Sequence, residues 1–232
     1  MEKIIINDVE IELTKKNIKN LYLSVHPPNG EVKISAPKWM DEDAIRLFAI
    51  SKLSWIKRHQ KKFKDQQKFP EKEYISGEKH HFLGQCYLLN VVYTNKRNQG
   101  VEIRNKEYID LFVRENAPKH IRERIMTEWY RSELKKLISP LIEKWELIMG
   151  VKVNEFGVKR MKTRWGTCNP TAKRVWINLE LVKMNPKCLE YVLVHEMVHL
   201  LERGHNKRFI AYMDEFIPNW RTVKEELNSS GL

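Results

Sequence analysis

The residues best equipped for chemistry are His195-Glu196-Met197-Val198-His199, in a stretch whose apolar spacing predicts a helix. Four residues along a helix amount to about 400° of rotation and about 6 Å of rise, so both imidazoles project from one face and can share a metal ion. Glu196 lies beside that face, where a carboxylate can take a proton from metal-bound water. A third ligand would complete such a site and leave one position open. His205 is ten residues beyond His195, and an unbroken helix would carry it about 15 Å along the axis, off the shared face. It reaches the metal only if the chain turns back. Gly204, immediately before it, is a residue that tolerates the left-handed conformation ending a helix. Glu202 and Glu215 are carboxylate alternatives for the same role. Three neutral imidazoles suit a borderline ion such as zinc, which favours His205.

Around these ligands the sequence offers supporting candidates. Arg164 and Trp165 fall in an expected strand, where Arg164 could stabilise an oxyanion and Trp165 could wall a pocket or simply pack. Tyr212, seven residues after His205, could donate a hydrogen bond to developing negative charge or merely pack. Cys168 has no second Cys or His at ligand spacing and reads as a buried structural thiol, and Trp129 and Trp145 read as core.

The elements that must position these residues follow from periodicity and punctuation. Short alternating runs at Ile4 to Ile6, Val9 to Leu13, Leu21 to Val25 and Val32 to Ile34, with a turn at Pro27-Pro28-Asn29-Gly30, read as antiparallel strands. After Pro37 and Asp41 a helical pattern runs to about Phe63. A second β stretch covers Tyr74 to Val113, with a turn at Asn98-Gln99-Gly100. A long helix is expected from Pro118 to Met149, closed by Gly150. Strands at Val151 to Val158, Lys162 to Cys168 and Arg174 to Leu179 precede a helix from Lys187 to Arg203 and a last pair near Lys207 and Pro218. No sequence repeat is visible. The expectation is a β-rich N-terminal domain with one helix over 1–115 and a catalytic domain over 116–232.

Composition narrows the class. The chain has 232 residues, 42% hydrophobic, with 42 Lys plus Arg against 30 Asp plus Glu. That suits one large or two small globular domains with a proper core, and excludes collagen-like and disordered chains. No apolar run approaches a spanning helix or a signal-peptide core, so no membrane partner and a cytoplasmic location are expected. Three Cys without a C-x-x-C pair fit a reducing compartment. The eight Lys and Arg between Lys52 and Lys72, interleaved by Phe63 and Phe69, read as a solvated helix face or as a patch for nucleotide or nucleic-acid phosphates.

The ordered segments Lys162-Thr163-Arg164-Trp165-Gly166-Thr167-Cys168, Trp176-Ile177-Asn178-Leu179, and Tyr191 through His199 to His205 and Phe209 resemble the YgjP-like metallopeptidase family, itself similar to SprT and Spartan proteases. The pattern departs mildly at Thr163, Thr167 and Ile210. The resemblance implies an α+β zincin-like fold whose short sheet packs on the H-E-x-x-H helix. It implies one zinc ion on His195, His199 and His205, with Glu196 as catalytic base and a peptide or protein as substrate. Arg174 to Leu179 is the candidate edge strand for holding that substrate extended. A metal-dependent nucleoside triphosphate hydrolase, and a nucleic-acid-binding protein with a structural zinc, are the alternative readings.

Overall fold

Period-two alternation in the first 37 residues buries Val9, Ile11 and Leu13 while their neighbours face water, and the same rule repeats on the facing strands. In the computed structural model the described residues are 2–26, 29–67 (side chains to 61), 72–95 and 99–229. Pro27, Pro28 and Asn98 of the expected turns lie outside them. So do Lys68, Phe69 and Glu71 of the basic run, together with the side chains of Lys62, Phe63, Lys64 and Asp65. Contacts divide the chain into two units, Met1–Glu71 and Lys72–Leu232.

The first unit holds β1 (Glu2–Ile6), β2 (Val9–Lys16), β3 (Tyr22–His26) and β4 (Glu31–Pro37) in the order β1-β2-β4-β3. Its helices are α1 (Glu42–Ser51), capped by the Asp41 side chain, and α2 (Leu53–Gln67). These are two helices where the sequence suggests one pattern, because Lys52 leaves helical geometry at φ −104°, ψ 1°. Ile45, Ala49 and Ile56 pack on Ile11 and Ile34 to form this unit's own core. Lys57 pairs with Asp8 at 2.8 Å, and Lys52, Arg58 and Lys61 are exposed, as on a solvated face.

The second unit opens with β5 (Lys79–Phe82), β6 (Gln85–Tyr93), β7 (Gly100–Arg104) and β8 (Tyr108–Val113), ordered β5-β6-β8-β7. Each four-stranded sheet contains one parallel pair, β2 with β4 and β6 with β8, so the first is not the antiparallel set expected. The two sheets thus share one topology although the sequence shows no repeat. Alternation fixes which face of a strand is buried and leaves open which strand lies beside it.

The boundary near residue 115 is also corrected. Leu89, Ile109 and Leu111 of the second sheet share a core with Met126, Leu134 and Ile138 of α3 (Lys119–Met149), so the sheet belongs with α3 and the rest of the second unit. Tyr130 on α3 donates to the His81 carbonyl at 3.0 Å. Gly150 ends α3 in the left-handed conformation at φ 64°, as the sequence implies.

A smaller sheet comes after α3, made of β9 (Glu155–Lys159), β10 (Gly166–Asn169) and β11 (Arg174–Asn178), in the order β10-β11-β9. β11 is paired on both sides, so it is not the exposed edge expected, and β10 and β9 are the outer strands. After a 3₁₀ turn (Leu179–Lys183) come α4 (Pro186–Val198), α5 (Lys207–Phe216) and α6 (Trp220–Ser229). The backbone N–H groups of Leu83 and Gly84 donate to Val182 and Lys183 carbonyls at 2.8 and 3.2 Å, tying the β5–β6 hairpin to that turn. α4 is apolar all round: Leu189, Val192, Leu193, Val194, Met197 and Val198 are buried, as a helix packed on several sides requires. Among the described residues no helix is long and apolar enough to cross a membrane.

Gly157 on β9 pairs with Trp176 on β11, and a Cβ there would lie 2.6 Å from Trp176 Cε3. Gly157→Ala must therefore move the indole or the strand. It is expected to lower unfolding stability by about 1–3 kcal/mol. Urea denaturation followed by tryptophan fluorescence checks this, and an unchanged midpoint would contradict the packing described.

Candidate metal centre

α4 stops at Val198, five residues before the expected Arg203, and His199 is its C-cap. Leu200 N–H donates to Met197 O and Leu201 N–H to Val198 O, both at 2.9 Å, tightening the last turn. Gly204 does not take the left-handed conformation. The reversal is made by this tightened turn and by the start of the next helix, where the Asn206 side chain accepts from Arg208 and Phe209 N–H at 3.0 and 3.1 Å. His205 directly precedes that cap, so capping α5 fixes where it stands.

His195, His199 and His205 converge, with one candidate ligand nitrogen from each lying within 4.8 Å of the others. The Nε2 atoms of His195 and His205 are 3.0 Å apart. His199 Nδ1 is 3.2 Å from the Glu202 carbonyl. A carbonyl only accepts, so Nδ1 carries the proton and Nε2 keeps a free lone pair. The Phe209 ring, 3% exposed, touches all three imidazoles, with centroid separations of 4.9, 4.9 and 4.7 Å. Burial, then the neighbouring His199 and His205, pulls His195 down to about 3 and keeps it neutral at neutral pH. Burial lowers His199 as well. Imidazoles grouped this way fit a borderline divalent cation. Among the described residues the cluster contains no carboxylate. Glu202 enters through its backbone, and Asp214 is engaged by Arg221 and Trp220.

Glu196 is 7% exposed, and burial raises its carboxyl to about 7 against the opposing pull of Arg164 and the Cys168 backbone N–H. A carboxyl at that value can both accept and return a proton near neutrality. Space for it comes from Gly166, where a Cβ would lie 2.7 Å from Glu196 Cγ and 2.8 Å from Oε1. Arg164 and Trp165 occupy a bend before β10, since the strand begins only at Gly166. Asn178, fully buried, holds this bend. Its Nδ2 donates to the Met161 and Arg164 carbonyls at 2.9 and 2.8 Å, and its Oδ1 accepts from Met161 and Glu180 N–H.

Two cavities meet at the cluster, of about 450 and about 600 Å3, and Arg164, Gly166, His195, Glu196 and His205 line both. Trp165 walls the first. Tyr212 lines neither: its hydroxyl lies 3.3 Å from Arg208, and its ring stacks on Phe216, one turn along α5. Phe209 and Met213 form the buried face of α5, which leaves Tyr212 at the flank. Burial pushes the Cys168 thiol up to about 11, so it is no thiolate at neutral pH. Sequence reasoning assigns no role to the space at Gly166 or to the Phe209 floor. A glycine inside a strand marks close approach of another group, and that signal is present at Gly166.

Residues 19–230 match the family described as YgjP-like, metallopeptidase domain. No curated protein matches the chain. Among solved structures the chain is similar to abylysin, a metallopeptidase zymogen of Pyrococcus abyssi, with 14% identity over 40% of this chain and 93% of that one and a TM-score of 0.38. It is similar also to jannalysin, a metallopeptidase zymogen of Methanocaldococcus jannaschii, with 16% identity over 42% and 95% and a TM-score of 0.35.

Gly166→Ala must displace the Glu196 side chain while leaving the three imidazoles where they are. Metal uptake measured by mass spectrometry is expected to match wild type while hydrolysis falls about a hundredfold, the cost of a misplacement near 1 Å. Full activity in this variant would show that the close approach has no bearing on Glu196.

Proposed function

The chain belongs to the YgjP-like metallopeptidase family, and on that premise we propose that it is a zinc peptidase whose zinc is held by His195, His199 and His205, with Glu196 as general base. The observation that carries this reading is the convergence of three imidazoles beside a buried carboxyl whose proton affinity is raised to about 7. Bound there, zinc would supply a Lewis acid that polarises a carbonyl and makes water nucleophilic near neutral pH.

The protein's own groups do the rest. Glu196 takes the proton from the attacking water and returns it to the leaving amine. Arg164, lining both cavities beside Glu196, places positive charge where the carbonyl oxygen becomes negative. Trp165 forms part of the wall that excludes water. Tyr212 has no part in this reading.

β10 is the edge that would hold the substrate. Asn178 N–H donates to the Trp165 carbonyl at 2.8 Å, which makes that pair hydrogen-bonded and, by alternation, turns the Gly166 and Cys168 backbone groups outward. Cys168 N–H is taken by Glu196. The Gly166 N–H and carbonyl and the Cys168 carbonyl remain for an extended chain.

Protein purified without added metal is expected to carry about one zinc per chain, and His205→Ala to lose most of it, as counted by mass spectrometry. Glu196→Gln is expected to keep the metal and lose peptide cleavage by about a hundredfold or more. Glu196→Gln cleaving at the wild-type rate would sink the assignment of the base. If peptides were untouched and phosphate release from nucleoside triphosphates depended on Glu196, the phosphoanhydride hydrolase reading would replace this one.

A further inference from the structure

The two cavities differ in chemistry. The smaller is walled by Tyr191 and Val192 of α4, Phe209 and Ile210 of α5, and Trp220 and Leu227 of α6. An apolar enclosure of about 450 Å3 holds a large side chain with room to spare. Lys224 also lines it, 5.5 Å from the Trp220 ring, and adds a positive charge that repels a basic side chain. The larger cavity has a polar lining in which Thr167 and Thr171 stand with Arg203 and Arg164. Both arginines are exposed; Arg164 exerts its charge on Glu196, while Arg203 has no side-chain hydrogen-bond or ion-pair partner among the described residues. Glu196 is the one carboxylate lining either cavity, and it lies where they join.

A mostly apolar cavity edged by Lys224 and a polar one carrying the unpaired guanidinium of Arg203 open on the same carboxyl, with Arg164 where they join. We propose that the enzyme selects peptide bonds flanked by a large apolar side chain in the smaller cavity and an acidic side chain in the larger. This specificity rests on the peptidase reading above and extends it to a substrate class. Unpaired guanidinium groups beside a cavity favour a carboxylate through bidentate hydrogen bonds, and removing apolar surface from water drives the other side chain in.

The zinc-loaded full chain is incubated with a mixture of synthetic peptides covering all residue types, and cleavage positions are read by mass spectrometry. The expected sites carry Asp or Glu on one side and Phe, Leu, Met or Trp on the other, favoured about tenfold or more over Ala and over Lys. Arg203→Glu is expected to lower cleavage of acidic peptides about tenfold and to relax the discrimination against Lys. Ile210→Glu is expected to weaken selection of the large apolar side chain. Both positions are exposed, so folding is not at stake. A separate readout is the Kd of Glu196→Gln for fluorescent peptides, expected to be tighter for the acidic and apolar pair and to lose that advantage with Arg203→Glu. Cleavage without this preference, or binding indifferent to it, overturns the specificity and leaves the peptidase standing. Zinc-loaded protein that neither cleaves nor binds any peptide removes both.

Discussion

Three imidazoles converge in this protein because one aromatic ring supports them all. Phe209 lies under His195, His199 and His205, and it sits on the helix whose N-cap begins one residue after His205. The floor and the third histidine are therefore placed by the same capping interaction at Asn206. The other two histidines are placed by the burial of α4. That helix is apolar on nearly every side, so its orientation is set by packing, and the face bearing His195 and His199 has only one direction left to point. The arrangement of the three histidines is in this sense a consequence of core formation rather than an addition to it.

Glu196 shows the other side of that dependence. It sits on the same helix, buried, and would collide with the edge strand if residue 166 had a Cβ. The edge strand is in turn held by β11, and the bend before it by Asn178, whose side chain satisfies four backbone groups with no solvent contact. A buried amide with all its partners made is a rigid connector. It links the start of the 3₁₀ turn to the bend carrying Arg164, the residue that opposes the rise in Glu196 proton affinity.

How much of this is legible in the sequence depends on the range of the interaction concerned. Features that are local in the chain can be read directly: the i, i+4 histidine pair, the Asp41 cap, the span of α3 and its Gly150 terminator. Features set by partners far along the chain cannot. Alternation at Leu89, Ile109 and Leu111 identifies strands and buried faces, but the parallel pairing of β6 with β8 and the sharing of their core with α3 lie beyond any local pattern. The end of α4 differs from expectation for a related reason. Gly204 has the residue type of a terminator, yet the helix ends where His199 Nδ1 meets the Glu202 carbonyl and the turn tightens. The convergence of His205 matches the spacing argument, while the route by which it arrives does not.

The protonation tendencies at the site have burial as their largest cause, and it favours a cation there. Burial drives His195 down to about 3, lowers His199 and lifts Glu196 to about 7, each shift favouring the neutral form. His195 and His205 nevertheless bring their Nε2 atoms to 3.0 Å, and His195 Nδ1 is buried without a partner. His199, whose Nδ1 proton goes to the Glu202 carbonyl, presents its Nε2 lone pair beside that contact. Among the described residues the one acid lining the two cavities, Glu196, is pushed away from ionising by burial. A cluster in that condition is short of positive charge. A divalent ion would supply it and, by its field, would favour the ionised carboxylate that a base requires, so the burial that keeps His195 neutral is the same feature that makes the cluster receptive.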